Sequence, residues 1–195
     1  MSLPQAGQRT AIKQPTGVTI QGKSIYDKSL QRSRGNISLS IFGYMFGEAI
    51  SYAHKQAKGI SDLESRLNRL GYHIGLRYVE VLALRAGKAA KREIKALDAL
   101  QLVHTIVWKA LFGQPMDAIE KSTESENDYM LIDHNPLICE FISVPKDMSQ
   151  LNCAALAAGI IEAVLDSTGF KCKVGAHTMG TNEHPYKTVF LVQLQ

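Results

Sequence analysis

From Ser38 onward, apolar residues recur at helical spacing. Phe42, Met45, Phe46, Ala49, Ile50 and Ala53 fall at i, i+3, i+4, i+7, i+8 and i+11, which predicts an amphipathic helix over 38–56. Ile41, Tyr44 and Tyr52 lie off that stripe and form a second apolar strip, more than a helix in a small domain needs for its own core. A second helix is expected over 61–85. There Leu63, Leu67, Leu70, Ile74, Tyr78, Val81 and Leu82 keep the period, and Ser61 with Glu64 reads as a capping box. Gly71 and Gly75 fall inside it. Each costs about 1 kcal/mol against alanine in a helix interior, so either the helix breaks there or another backbone comes close. EIKALDALQLVHTIVWKALFG reads as a third helix, with Gly113 as its stop and Pro115 beyond.

Near Asp128 the period changes. DYMLIDH and LICEFISV read as two strands joined through Asn135-Pro136, the second closed by Pro145. A buried, alanine-rich helix over 149–167 ends at Gly169, and FKCKVGAHT and YKTVFLVQLQ supply two more strands. Three helices, two strands, a helix and two strands predict an α+β fold, with helices covering a four-stranded antiparallel sheet and one helix inserted between the strand pairs. Residues 1–35 hold no period and read as an extended N-terminal arm, which leaves 36–195 as one domain.

A chain of 195 residues with 45% hydrophobic content can bury a real core. Its longest apolar run, CAALAAGII, is too short to cross a bilayer, and the N-terminus has no apolar signal region, so a cytosolic location is expected. The net charge of +4 belongs to the arm, where Arg9, Lys13, Lys23, Lys28, Arg32 and Arg34 face Asp27 alone. Cys139, Cys153 and Cys172 are odd in number and widely spaced, so they read as reduced core thiols rather than disulfides or zinc ligands.

The stretch GVTIQGKS, Gly17 to Ser24, matches a phosphate-binding loop in which Lys23 would reach phosphates and Ser24 a magnesium ion. A working loop needs a strand before it and a helix starting at the lysine. Lys13-Gln14-Pro15-Thr16 and SIYDKSLQRSRGN supply neither, and the nearest Walker-B lookalike, Ala163 to Asp166, falls on a helix. The match therefore reads as accidental. The six histidines are scattered without metal-ligand spacing, and no nucleophile elbow is present. No catalytic residue, metal or cofactor is assigned. The run RAGKAAKREIK gathers Arg85, Lys88, Lys91, Arg92 and Lys95. It reads as a solvated connector that complements a helix C-terminus, or as a patch facing an anionic membrane or a partner. No nucleic-acid motif accompanies it.

GYHIGLRYVEVLALR, VWKALFG, the DHNPL turn and SVPKDMSQLNCAALAAGIIEAVLDSTGF, in this order, resemble the small Bet3-like subunits of the TRAPP (trafficking protein particle) tethering complex. The resemblance runs from about Ile25 to the C-terminus. It implies a mixed α/β plait that dimerises with related small subunits through its first helices. It also implies a non-catalytic structural subunit of a rod-shaped assembly that tethers vesicles between the ER and Golgi and, once assembled, exchanges guanine nucleotide on a Rab GTPase. A cytoplasmic location at ER and cis-Golgi membranes would follow, with peripheral membrane contact. The candidate contacts for pairing are Ile41, Tyr44, Tyr52, Gly71, Gly75 and Tyr78. Some members carry a palmitoylated cysteine after the second helix, but RAGKAAKREIK contains none. Two other readings stay open: a domain of the same fold that senses an acyl chain or haem, and nucleotide binding at 17–24.

Overall fold

The structure, a computed structural model, describes residues 38–87, 93–123, 125 and 127–195. The expected arm and the phosphate-loop match lie outside the described residues, as do Lys88, Lys91 and Arg92. Helix α1 spans Leu39–Gln56 and α2 spans Ile60–Ala86. Helix α3 covers 96–112 in three pieces, with a π turn at Val103–Val107 between Ala96–Leu102 and Trp108–Phe112. Strands β1 (Ala118–Lys121) and β2 (Asp128–Asp133) precede α4 (Ala155–Thr168), and β3 (Cys172–Thr178) and β4 (Thr188–Leu194) follow it. The four strands form one antiparallel sheet in the order β1-β2-β4-β3.

Helix α2 runs unbroken through both glycines because they are the points where α4 touches it. A methyl group on Gly71 would land on the carbonyl oxygen of Leu156, and one on Gly159 of α4 would land on that of Asn68. At Gly75 a Cβ would sit 2.7 Å from the Ala163 methyl and 2.8 Å from the Ile160 carbonyl oxygen. The helices thus meet backbone to backbone. Helix α4 is buried on nearly every side from Ala155 to Leu165, as its alanine-rich sequence predicts. It ends in a Schellman turn, with Gly169 at φ 99°, Gly169 N–H on Asp166 O and Phe170 N–H on Leu165 O, both 3.0 Å. Gly113 closes α3 in the same left-handed conformation, φ 86°.

Leu131, Phe190, Val192 and Val174 share one face of the sheet and are buried. Trp108 packs against them, edge-on to Phe190 at 5.3 Å between ring centroids, and its Nε1–H donates to Asp133 Oδ2 at 2.7 Å. The Asp133 pKa is raised, because burial outweighs the opposing pull of the Trp108 bond and of the Asn135 N–H on Oδ1.

Three expectations change. LICEFISV is not a strand: between Pro136 and Pro145 it makes a 3-10 turn at Leu137–Cys139 and packs Ile138, Ile142 and Val144 on the core without pairing. The fourth strand is instead the short Ala118–Lys121. The capping box is not formed either. Gly59 caps α2, Asp62 accepts Lys58 N–H at 2.9 Å, and Glu64 Oε1 instead accepts Asn152 N–H at 2.8 Å from the segment entering α4. Asn152 in turn donates to Thr178 Oγ1 (3.1 Å) and accepts Ala154 N–H (2.9 Å), tying α2, α4 and the end of β3 together.

The outward edge of β3 is occupied by side chains from α2 and α4. Cys172 N–H donates to Asp166 Oδ1, Val174 N–H to Glu162 Oε2, and Asn68 Nδ2 donates to Val174 O.

The glycine contact yields a paired test by urea unfolding. Gly71→Ala is expected to lose about 3 kcal/mol or more, because overpacking here meets main chain that has no rotamer to move. A Cβ at Gly47 of α1 meets nothing, so Gly47→Ala should hold the midpoint or raise stability by up to about 1 kcal/mol.

Candidate partner interface

Only Phe46 and Ala53 of α1 are fully buried, with Phe42 stacked on Phe46 at 6.1 Å and Ile50 packed against the core. Phe141 lies over Gly43 from the turn after β2, within van der Waals contact of where a side chain would be. This is a thin attachment for a helix of 18 residues. The opposite face carries Ile41, Tyr44 and Tyr52 in the open, with Tyr44 82% exposed. Met45, assigned by period to the core stripe, is 68% exposed and belongs to this outer strip. On α2, Leu70 and Ile74 also keep the core period yet face out, because the interior contact follows the glycines at 71 and 75.

Between the two helices lies a groove of about 840 Å³, its apolar lining supplied by Met45, Ala49, Tyr52 and Leu70. At its rim Arg66 Nε meets Asp62 Oδ2 at 3.2 Å. The Lys58 N–H and then Arg66 lower the Asp62 pKa, so this rim pair is charged at neutral pH.

The other predicted contacts sit elsewhere. Gly71 and Gly75 are sealed beneath α4, where their missing side chains are needed inside the chain rather than at a partner. Tyr78 is half-buried against the core, its hydroxyl enclosed and without a hydrogen-bond partner among the described residues; burial raises its pKa. Arg85 and Lys95 are exposed. Asp166 of the Walker-B lookalike is engaged by the Tyr72 hydroxyl (3.0 Å) and Cys172 N–H (3.3 Å).

Among the described residues, no group of three or more His, Cys, Asp or Glu is placed to hold a metal ion. His134 and His184 do come together, stacked at 4.3 Å, with His134 N–H on Asp117 Oδ2 at 2.6 Å. This pins the β3–β4 loop to the end of β2. All three cysteines are free. Burial pushes the thiols of Cys139 and Cys172 up to about 12 and that of Cys153 up to about 11.

Residues 42–195 match the family model described as Transport protein particle (TRAPP) component. The chain belongs to the TRAPP family. It is 44% identical over 171 residues to "Trafficking protein particle complex subunit 5" of Dictyostelium discoideum, covering 87% of this chain and 91% of that one. The Homo sapiens protein of the same name is 42% identical over 158 residues, covering 80% and 84%. In Saccharomyces cerevisiae, "Trafficking protein particle complex subunit 31" is 28% identical, covering 96% and 86%. Among solved structures, a TRAPP subunit 3 from Naegleria fowleri, covalently bound to palmitic acid, superposes with a TM-score of 0.65 at 16% identity over 80% of this chain and 95% of that one. It shares the TRAPP fold described above.

The buried thiols set an expectation for labelling. At pH 8 an alkylating reagent should modify the native TRAPP chain about a hundredfold or more slowly than an exposed cysteine, because only the thiolate reacts. The rate should climb as pH rises toward 11, and unfolding in urea should make all three cysteines react freely.

Proposed function

We propose that this TRAPP-family chain works as a non-catalytic structural subunit of a trafficking particle, pairing with another small subunit through the outer faces of α1 and α2. The observation that carries this is the exposed strip Ile41, Tyr44, Met45 and Tyr52 on a helix that its own core holds by two buried residues. Contiguous exposed apolar surface beside a groove is the mark of a protein contact, and tyrosine is favoured at interface centres. The names of the relatives support the same reading. Exchange on a Rab GTPase and residence at ER and cis-Golgi membranes are, on this reading, properties of the assembled particle to which this chain contributes position rather than chemistry. Covalent acylation is not part of the proposal, since the segment after α2 has no cysteine and the three thiols are buried or half-buried.

Affinity purification of the tagged chain from its own cells is expected to bring down other small TRAPP subunits in equal amounts. With the co-purified partner, Ile41→Asp and Tyr44→Asp should each weaken pairing about tenfold or more in size-exclusion chromatography, as truncation of an interface anchor does. Undiminished pairing in both variants would move the interface elsewhere.

A further inference from the structure

The groove between α1 and α2 is chemically uneven along its length. Near the start of α2 its polar groups satisfy one another. Arg66 Nε meets Asp62 Oδ2 at 3.2 Å, Arg66 Nη1 donates to Gln56 Oε1 at 3.3 Å, and Lys58 N–H donates to Asp62 at 2.9 Å. About one turn further along α2 stands Arg69, which lines the same groove beside Leu70 and is exposed. Among the described residues it makes no ion pair and no side-chain hydrogen bond. Glu48, which lines the groove from α1, does not pair with it.

In the isolated chain the Arg69 guanidinium is hydrated. Once a partner closes over the apolar lining that water is displaced, and a guanidinium left buried without a counter-charge is strongly unfavourable. Asp62 is committed to Arg66 and to Lys58 N–H, and partner side chains filling the groove separate Glu48 from Arg69. The carboxylate must therefore come from the partner, and arginine suits it, because its planar fork takes both oxygens at once. A second copy meets this requirement poorly. From Leu39 to Ala86 the chain carries six lysines and arginines against four aspartates and glutamates, and Glu64 among the four is turned inward to Asn152. Two such faces set like charges against each other, which costs affinity and excludes wrong partners. We propose that Arg69 selects the pairing partner: a sister subunit with an acidic helix face sets a carboxylate against Arg69 in the groove, and the basic excess disfavours a second copy of this chain. This rests on the pairing reading above and names the chemistry of the surface that completes it.

The test uses the full chain and the sister subunit that co-purifies with it. Arg69 is exposed in the chain alone, so Arg69→Glu should leave the urea midpoint unchanged. It should weaken the complex about thirtyfold or more, as loss of one member of a desolvated charge pair does. Arg69→Lys, which keeps the charge and loses the fork, should weaken it about tenfold or less. Lys173→Glu makes the same change of net charge at an exposed position on β3 and should alter affinity by no more than about twofold. Association of the unaltered pair should slow as salt rises from about 0.05 M to about 0.5 M. In the Arg69→Glu background, lysine placed in turn at each exposed Asp and Glu of the sister's first two helices should recover at least about tenfold in affinity at one position.

Weakened pairing in Ile41→Asp and Tyr44→Asp with full affinity in Arg69→Glu would overturn this proposal and leave the pairing reading standing. Full affinity in all three variants would remove both. Weakening in Arg69→Glu with no rescuing position on the sister would also overturn it, because a lost fit without a counter-charge gives that result. So would a homodimer of the chain alone that forms at the concentrations at which the sister pairs and that Tyr44→Asp dissolves.

Discussion

The contact on which the rest of this structure depends is the main-chain approach of α2 to α4 at Gly71, Gly75 and Gly159. Three residues without side chains let two helices come together at a depth no other residue permits. That depth brings Glu64, Asn68 and Tyr72 of α2 within hydrogen-bonding reach of Asn152, Val174 and Asp166. With the helices a methyl group further apart, those side chains would leave buried or half-buried backbone groups of the sheet and of the entry to α4 unmatched, at a cost that grows as water is excluded. The sheet is thereby held to the helices through polar bonds as well as apolar packing. Trp108 does the same from α3, combining a ring packed on Phe190 with a hydrogen bond to Asp133.

Because α2 turns its glycine face inward, its arginine- and leucine-bearing face is left for α1 and for whatever lies beyond α1. Helix α1 contributes little to the interior and much to the surface, and it is this imbalance of its apolar residues that the proposed pairing would cover. The chain divides along the same line. Helices α2, α3 and α4 with the sheet form the folded body, while α1 lies on its outside and carries Ile41, Tyr44, Met45 and Tyr52 exposed.

Much of this is legible in the sequence, and what is not has a physical cause. The helices show because a stripe at period 3.6 survives over four or more turns, and Gly113 and Gly169 mark their ends because left-handed caps favour glycine. The second strip on α1 shows for the same reason. Met45, however, falls by period into the wrong strip, since periodicity assigns a face only to within one residue at the border between two apolar stripes. LICEFISV has strand composition, but residues between two prolines can pack on a core without joining a ladder. The true strand, AIEK, is too short and too polar to stand out. Ser61 and Glu64 have capping-box spacing, yet the glutamate is claimed by Asn152, 88 residues away. Gly71 and Gly75 announce a close approach without naming the partner; that it is α4 depends on Gly159, which no local pattern links to them.

The filled edge of β3 has a consequence for how such a chain can multiply. Amyloid growth and strand exchange both start from a row of free amides and carbonyls at the end of a sheet. Here one end strand has the first half of its row already claimed by Asp166, Glu162 and Asn68, and the other is four residues long and ends in Glu120 and Lys121. Neither end offers a ready template for open-ended addition. Copies crowded together are thus steered toward contacts between side-chain surfaces, which saturate once both faces are covered, rather than toward a sheet that lengthens without end.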